Sequence, residues 1–142
     1  MKIQTPDGKV IEIKPKSDTA KVGEFINCIL LAAPIIHVMH LRVSGSGAYA
    51  AHKALNELYE ALPEHADDLA EKWQGFNGAL LEYPVMDIKP FYNMQPIEFV
   101  TWLLNYVNEY RSVFGNNTSL QNMVDELLAD IASTKYKLTF LK

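Results

Sequence analysis

Apolar residues recur at helical spacing in four long segments of this 142-residue chain, and this pattern is the strongest constraint on its fold. Glycine and proline residues interrupt the pattern between the segments, so the sequence predicts four separate helices. The expected bounds are Thr19 to Val43 for helix A, Gly47 to Gln74 for helix B, Pro96 to Gly115 for helix C and Thr118 to the C-terminus for helix D. The apolar positions expected on their buried faces are Val22, Phe25, Ile26, Ile29, Leu30, Ala33, Ile36 and Leu41 in A, Leu55, Leu58, Leu62, Ala66, Leu69 and Trp73 in B, Phe99, Leu103, Tyr106, Val107 and Tyr110 in C, and Val124, Leu127, Ile131, Tyr136 and Leu138 in D.

Local signals predict where these helices begin and end. Asp18 or Thr19 can cap the start of helix A, because their side-chain oxygens accept from free backbone amides. Gly75 is the expected stop of helix B. Helix D opens with a Thr-Ser-Leu-Gln sequence at 118–121, which is a capping-box pattern.

The lengths of the connections predict the topology. Helices A and B are joined by a short Ser-Gly-Ser-Gly link at 44–47, and helices C and D by another short link. A long connection at 76–95 separates helices B and C, and one long crossover is the topology of ferritin-like bundles. The sequence therefore predicts an all-α, ferritin-like four-helix bundle over residues 18–142.

Residues 1–17 form the expected N-terminal extended segment. Ile3, Val10, Ile11 and Ile13 flank a Pro-Asp-Gly turn signature at 6–8. A hairpin is therefore expected within residues 1–14, packed on the bundle or on a neighbouring subunit.

Composition excludes several classes of function. The net charge is −4, and residues 1–21 carry a net of only +2, so tight nucleic-acid binding is not expected. The single cysteine, Cys28, rules out an intrachain disulfide and a cysteine-based zinc site. We expect no membrane span, because no run of about 18 apolar residues occurs. The N-terminus lacks the apolar core of a signal peptide, and a cytoplasmic location in a bacterial or phage-infected bacterial cell is expected.

Two pairs of candidate metal ligands lie at opposite ends of helix B. The short A–B link brings His40 close to His52, while Asp67 and Glu71 are four residues apart and share a helix face. His52 and Asp67 are separated by about 22 Å along the helix axis, because the rise is about 1.5 Å per residue. Metal–ligand bonds are only about 2 Å long, so one chain cannot bring both pairs to one ion.

Two chains together can form a metal site that one chain alone cannot form. A two-fold homodimer with antiparallel B helices would place the histidines of each subunit beside the carboxylates of its partner. Histidine and carboxylate ligands together suit iron, manganese or zinc. An intrachain di-iron site of the kind found in ferritins is not expected, because the chain contains no Glu-x-x-His pair.

The segment that carries these residues resembles the Dps family of miniferritins. Dps proteins have a histidine, a second histidine twelve residues on, an aspartate fifteen further and a glutamate four beyond. His40, His52, Asp67 and Glu71 keep every one of these intervals. Leu41 stands where Dps proteins usually have tryptophan, and the N-terminal hairpin is not typical of them. The chain also resembles short ferritin-like proteins of tailed phages.

The resemblance implies a function and an assembly. In Dps proteins the two histidines of one subunit and the aspartate and glutamate of its partner hold iron at a dimer interface. His40, His52, Asp67 and Glu71 are thus implied as both the metal-binding and the catalytic residues of a ferroxidase, which oxidises ferrous iron with peroxide or oxygen. The ferric mineral is stored in a shell of up to twelve subunits. The alternative hypothesis is a ferritin-like structural or interaction protein, of a kind that a phage could encode, whose metal site is vestigial.

Other polar residues are weaker candidates. His37 lies one turn before His40 and is either a supporting partner or part of a polar face, with the polar face preferred. His65 is left out, because its direction on helix B differs from that of Glu71. Cys28 is expected to be a buried, inert thiol, and Tyr106 and Tyr110 are expected to be core residues. The remaining acidic candidates, expected to be solvated, are Glu24, Glu64 and Asp68.

Overall fold

The computed structural model describes residues 2–12 and 17–142. Within those ranges the chain forms two short strands followed by four long helices. Their bounds are Lys2–Gln4 for β1, Val10–Glu12 for β2, Asp18–Arg42 for α1, Ala48–Asn77 for α2, Pro96–Tyr110 for α3 and Thr118–Phe140 for α4. These four helices correspond to helices A to D, and short 3-10 turns at Lys89–Phe91 and Arg111–Phe114 accompany them. The predicted all-α bundle is confirmed, although α3 has only 15 residues because the chain tightens into the second 3-10 turn.

Contacts between α1, α2 and α4 fix the directions of the helices. α1 and α2 are antiparallel, since His40 near the end of α1 contacts His52 near the start of α2. α4 also runs against α2, because Lys137 near its end pairs with Glu57, while Asp130 pairs with His65 further along α2. α1 and α4 therefore point one way and α2 the other.

The long connection between α2 and α3 runs along the whole length of α1. Three hydrogen bonds attach it to the start, the middle and the end of that helix. They join Ser17 to Glu82 (3.0 Å), Asn27 to the carbonyl of Pro84 (2.7 Å) and Arg42 to the carbonyl of Tyr92 (3.1 Å). The connection thus carries the chain from one end of the bundle to the other, and α3 runs parallel to α2. The predicted single long crossover is present.

The core lies between the four helices and follows the predicted faces closely in α2. All six predicted core positions of that helix are buried. The prediction of a core position is wrong for three residues, since Leu41 is 68% exposed, Tyr110 46% and Tyr136 55%. Leu41 and Tyr110 lie in the last turn of their helices and Tyr136 in the second-last, where neighbouring helices no longer cover every side of the chain.

In two helices the capping residue lies one position before the first predicted cap. Ser17 caps α1, its hydroxyl accepting from the backbone amide of Ala20 (3.2 Å). Asn117 caps α4 in the same way, its side-chain oxygen accepting from Leu120 (3.1 Å). The predicted caps, Asp18 or Thr19 in α1 and Thr118 in α4, lie inside the first turns. The sequence pattern identified the correct turn but not the residue, because several adjacent side chains can cap.

The predicted end of α2 at Gly75 is wrong. The helix continues to Asn77, and Gly78 ends it with a left-handed φ of 62°. The backbone amide of Gly78 donates a hydrogen bond to the carbonyl of Gln74 (2.8 Å) at this end of the helix. Glycine inside a helix costs only about 1 kcal/mol, so Gly75 is tolerated where packing holds the chain in a helix. Gly78 provides the conformation that a helix end requires.

The predicted N-terminal hairpin is confirmed over the described residues. β1 and β2 pair antiparallel, with Ile3 opposite Ile11. Gly8 takes a φ of 84° in the turn, and the amide of Thr5 donates to the carbonyl of Lys9 (2.8 Å). Ile13 lies outside the described residues.

α1 is the one helix of the described part of the chain that is long and apolar enough, by length and composition, to cross a membrane. In the bundle 61% of its most apolar window is buried, so α1 also fits the role of a central core helix.

Candidate metal centre

His40 and His52 face each other where α1 turns back into α2. Five residues, 43–47, link the two helices, and Gly45 and Gly47 take positive φ values of 84° and 78° there. This tight reversal stacks the two imidazole rings, with a centroid separation of 3.8 Å and an angle of 27° between the rings. The structure therefore brings together the two histidines that the sequence singled out.

The hydrogen bond made by His52 determines which of its ring nitrogens is available. Its Nδ1 atom lies 3.0 Å from the backbone carbonyl oxygen of His40. A carbonyl can only accept, so Nδ1 carries the proton and Nε2 of the neutral ring keeps its lone pair. Metal-binding histidines are commonly held by such a bond from the other ring nitrogen to a backbone carbonyl.

His40 is buried, with 6% of its surface exposed. Its Nδ1 atom has no hydrogen-bond partner among the described residues, which is uncommon for a buried polar atom. Burial lowers the pKa of His40 below its ordinary value, and the nearby His52 ring lowers the pKa further. His40 is therefore neutral at pH 7, which is the form that binds a metal ion.

Two further rings complete a cluster around this pair. His37 stacks on Tyr59, with centroids 4.1 Å apart and an angle of 9° between the rings. His40 meets both of them edge to face, at 5.6 Å from His37 and 5.1 Å from Tyr59. We call these four residues, His37, His40, His52 and Tyr59, the ring cluster. His37 is exposed, as predicted for a polar face, but it also supports the cluster through Tyr59.

Sequence reasoning missed Tyr59. The signal was present, because Tyr59 follows His52 by seven residues, two helical turns on, and therefore lies on the same face of α2. Its hydroxyl donates to the side-chain oxygen of Asn56 (2.8 Å), so the phenol is held in one orientation. The position of His37 on α1 is what brings the two rings into contact.

Asp67 and Glu71 lie on α2 at a distance from the ring cluster. Both are exposed, and no ion pair involves either of them in the part of the chain that the structure describes. Because α2 is continuous from Ala48 to Asn77, Asp67 is about 22 Å from His52 along the axis. Across residues 2–12 and 17–142, no three histidine, cysteine or acidic side chains gather closely enough to hold a metal ion.

Three of the four candidate ligands, His52, Asp67 and Glu71, share the face of α2 that the rest of the chain leaves uncovered. His52 and Asn56 at one end of this face are half-buried, and Glu60, Asp67 and Glu71 are exposed. At about 100° per residue these side chains occupy a sector of roughly 100° beside the buried stripe. A second molecule could therefore pack against this face without displacing any helix.

His65, which was left out of the candidate ligands because of its direction on the helix, pairs with a residue of α4. His65 Nε2 lies 2.6 Å from a carboxylate oxygen of Asp130 on α4, away from the candidate ligands. Asp68, next to Asp67, pairs with Lys72 at 3.5 Å. His65 and Asp68 therefore have structural partners, whereas the candidate ligands Asp67 and Glu71 are exposed on the uncovered face of α2.

The remaining candidates behave as core residues or surface groups. Cys28 is 3% exposed, and burial raises the pKa of its thiol to about 12, so an inert thiol is the better description. Tyr106 is partly buried and stacks on Phe25 at 6.1 Å, and burial raises the pKa of its hydroxyl. Tyr110 contacts Tyr106 at 4.7 Å but is partly exposed.

Comparison with known proteins relates the chain to a phage protein. It is 19% identical over 132 residues to a protein of Enterobacteria phage T4 described as "Uncharacterized 14.6 kDa protein in mobD-ri intergenic region", and the match covers 92% of this chain and 98% of that protein. No solved structure matches the chain. A family of unknown function, DUF5856, matches residues 40–138, a range that includes all four candidate ligands. The chain therefore belongs to the DUF5856 family.

Proposed function

We propose that this protein is a Dps-like ferroxidase that oxidises ferrous iron at a site shared between two subunits. One subunit supplies His40 and His52, and its partner supplies Asp67 and Glu71. The observation that carries the proposal is the stacked histidine pair, in which Nδ1 of His52 is committed to a carbonyl and Nδ1 of buried His40 has no partner. The bond from His52 Nδ1 to a backbone carbonyl is the arrangement common among metal-binding histidines, and this supports a ligand role for His52.

The donor set suits ferrous iron as a substrate. Two neutral imidazoles and two carboxylates would balance the charge of a divalent ion, and this mixture of nitrogen and oxygen ligands fits iron, manganese or zinc. In the proposed reaction two ferrous ions each lose one electron, and one hydrogen peroxide molecule takes up both electrons and two protons to give two waters. The exposed positions of Asp67 and Glu71 would leave the site open to peroxide.

The spacing along α2 fixes how two subunits would have to meet. If His52 of one chain lies beside the Asp67 and Glu71 pair of the other, the two-fold axis crosses antiparallel α2 helices near Glu60 and Ala61. Glu60 is exposed and lies in the same sector as the ligands, so the axis passes through the uncovered face. The directions of the four helices, with one long crossover between α2 and α3, are compatible with this pairing.

Peroxide-driven oxidation of ferrous iron, followed by absorbance, tests the proposal with matched variants. Asp67→Asn and His52→Ala should each lower the initial rate by at least about tenfold, since the first removes the negative charge of a ligand and the second removes a ligand altogether. Asp68→Asn and His65→Gln are the controls, because these neighbours pair with Lys72 and Asp130 and do not belong to the proposed site. Circular dichroism checks that all four variants keep their helices. If the unmodified protein oxidises iron no faster than buffer, the ferroxidase proposal is wrong.

A second candidate is a ferritin-like structural or interaction protein with a vestigial site. The absence of any three-ligand group in the described part of one chain is expected for both candidates, because the shared site needs two subunits. This candidate predicts a dimer that neither oxidises iron nor retains metal during purification. Metal analysis of the purified dimer, combined with the oxidation assay, therefore separates the two candidates.

A further inference from the structure

A cavity of about 440 Å³ opens at the end of the bundle where α1 turns into α2. Three separate parts of the chain form its walls: the α1–α2 turn, the residues that precede and begin α3, and the C-terminal end of α4. Its volume lies in the range of cavities that hold small organic ligands. None of the four proposed iron ligands lines it, so the cavity is distinct from the candidate metal centre.

The floor of the cavity is apolar. Met39, Met94 and Leu138 line it, and all three also pack against the hydrophobic core. Methionine side chains adapt their shape to an apolar guest more readily than branched residues do. The floor therefore fits a compact apolar or planar group.

The rim is polar and positively charged. Ser44 and Ser46 contribute hydroxyl groups, Arg42 contributes a cation, and Lys142 packs its backbone against Gly47. No acidic side chain lines the cavity within the described residues. An anion entering the rim would thus meet hydrogen-bond donors and positive charge without an opposing side-chain carboxylate.

A hydrogen bond to the long connection between α2 and α3 holds Arg42 at this rim. Its Nη1 donates to the backbone carbonyl of Tyr92 at 3.1 Å, which uses one of the five N–H donors of the guanidinium. A planar guanidinium with free donors matches the oxygen geometry of a phosphate group. The first turn of α2, capped by Gly47 without a side-chain hydrogen bond, borders the same cavity and adds to the positive potential.

We propose that this cavity binds a small phosphate monoester. The phosphate would contact Arg42 and the serine hydroxyls at the rim, and its apolar or planar body would occupy the floor formed by Met39, Met94 and Leu138. The cavity is much larger than a phosphate group alone, which is why an attached body is required. This site is independent of the proposed iron oxidation.

An NMR titration with phenyl phosphate tests the proposal, with benzyl alcohol and inorganic phosphate as the comparison probes. Phenyl phosphate should shift the methyl signals of Met39 and Met94 and the backbone amide signal of Ala51, another cavity residue. Its affinity should exceed that of either comparison probe by at least about tenfold, because it alone supplies both the anion and the body. Equal binding of benzyl alcohol or of inorganic phosphate, or no shift at these residues, would overturn the proposal.

Two variants and a control locate the site. Arg42→Gln should weaken phenyl phosphate binding by about tenfold, and Ala51→Leu should weaken it by filling the cavity. Lys53→Gln removes an exposed cation that does not line the cavity, and its affinity should stay unchanged. Thermal unfolding checks that the variants remain folded, and the probe comparison on the unmodified protein decides the question if a variant is unstable. Wild-type affinity in Arg42→Gln would show that the rim does not bind the phosphate.

Discussion

The backbone carbonyl of Glu82 lies directly against the α-carbon of Gly23, in the space that a side chain would need. Gly23 is in the second turn of α1, and Glu82 is in the crossover that runs along this helix. The close approach lets Ser17 and Asn27, on either side of Gly23, bond to the crossover. A residue without a β-carbon is therefore required at the point where the crossover first meets α1.

Replacing Gly23 with alanine should destabilise the protein. The added methyl group would overlap the Glu82 carbonyl, and backbone atoms cannot move aside as a flexible side chain can. We expect the free energy of unfolding to fall by about 1–3 kcal/mol, measured by urea denaturation. Gly75→Ala is the matched control, since Gly75 also lies within a helix but has nothing within 4 Å of its β-position. That variant should gain about 0.5–1 kcal/mol, and equal losses in both would contradict the proposed contact.

Cys28 should react very slowly in the native protein. Its thiol is almost fully buried, and its pKa is raised to about 12 by that burial. At pH 8 the thiolate fraction should be roughly a thousandfold below that of an ordinary cysteine. The measurement is the rate of reaction with a thiol-specific disulfide reagent, with and without guanidinium chloride. Fast reaction in the folded state would show that α1 opens locally or that Cys28 is accessible.

The start of α4 distinguishes the observed cap from the predicted one. Asn117→Ala should lower the free energy of unfolding by about 1 kcal/mol, because the bond to the Leu120 amide is lost. Thr118→Ala leaves this bond intact and should change the stability by less than about 0.5 kcal/mol. The opposite order of the two losses would favour the capping box at 118–121.

Disulfide cross-linking tests the proposed antiparallel pairing of α2. In a Cys28→Ser background, a cysteine at Glu60 should form an intersubunit disulfide on mild oxidation, because the two-fold axis of the proposed dimer would pass near this residue. A disulfide needs α-carbons within about 7 Å, so only positions close to the axis should react efficiently. Lys72→Cys is the control on another side of the helix, where Lys72 pairs with Asp68. Efficient cross-linking at position 72 but not at 60 would show that α2 does not pair in this way.

The helical pattern was sufficient for the architecture because each helix buries one continuous stripe. The predicted stripe of α2, from Leu55 to Trp73, is buried in full. The residues wrongly predicted to be buried lie near helix ends. At Leu41, for example, the apolar spacing continues, but no neighbouring helix extends far enough to cover the side chain. Gly75 was also predicted wrongly from local sequence. Its low helix propensity predicted the end of the helix, but α2 continues to Asn77 because packing against the other helices stabilises it.

The sequence intervals also determined where the four candidate ligands would lie along the chain. A short link after His40 and a continuous helix from His52 to Glu71 place two ligands at one end and two at the other, whatever the side-chain packing. This follows from the fixed rise of an α-helix. The shared centre also requires contacts between two subunits, and helix geometry within one chain does not specify those contacts.

Only the tertiary structure decided the surroundings of those residues. The bond from His52 Nδ1 to the His40 carbonyl, the stacking of His37 on Tyr59 and the cavity beside Arg42 all join residues from different elements. Periodicity reports which face of a helix is buried, but it does not report how far one helix is rotated or shifted against another. The sequence by itself therefore determined the four helices, their order and the spacing of the candidate ligands. The packing of those helices decided which side chains meet, because ring contacts and hydrogen bonds depend on ångström-scale offsets that no single segment encodes.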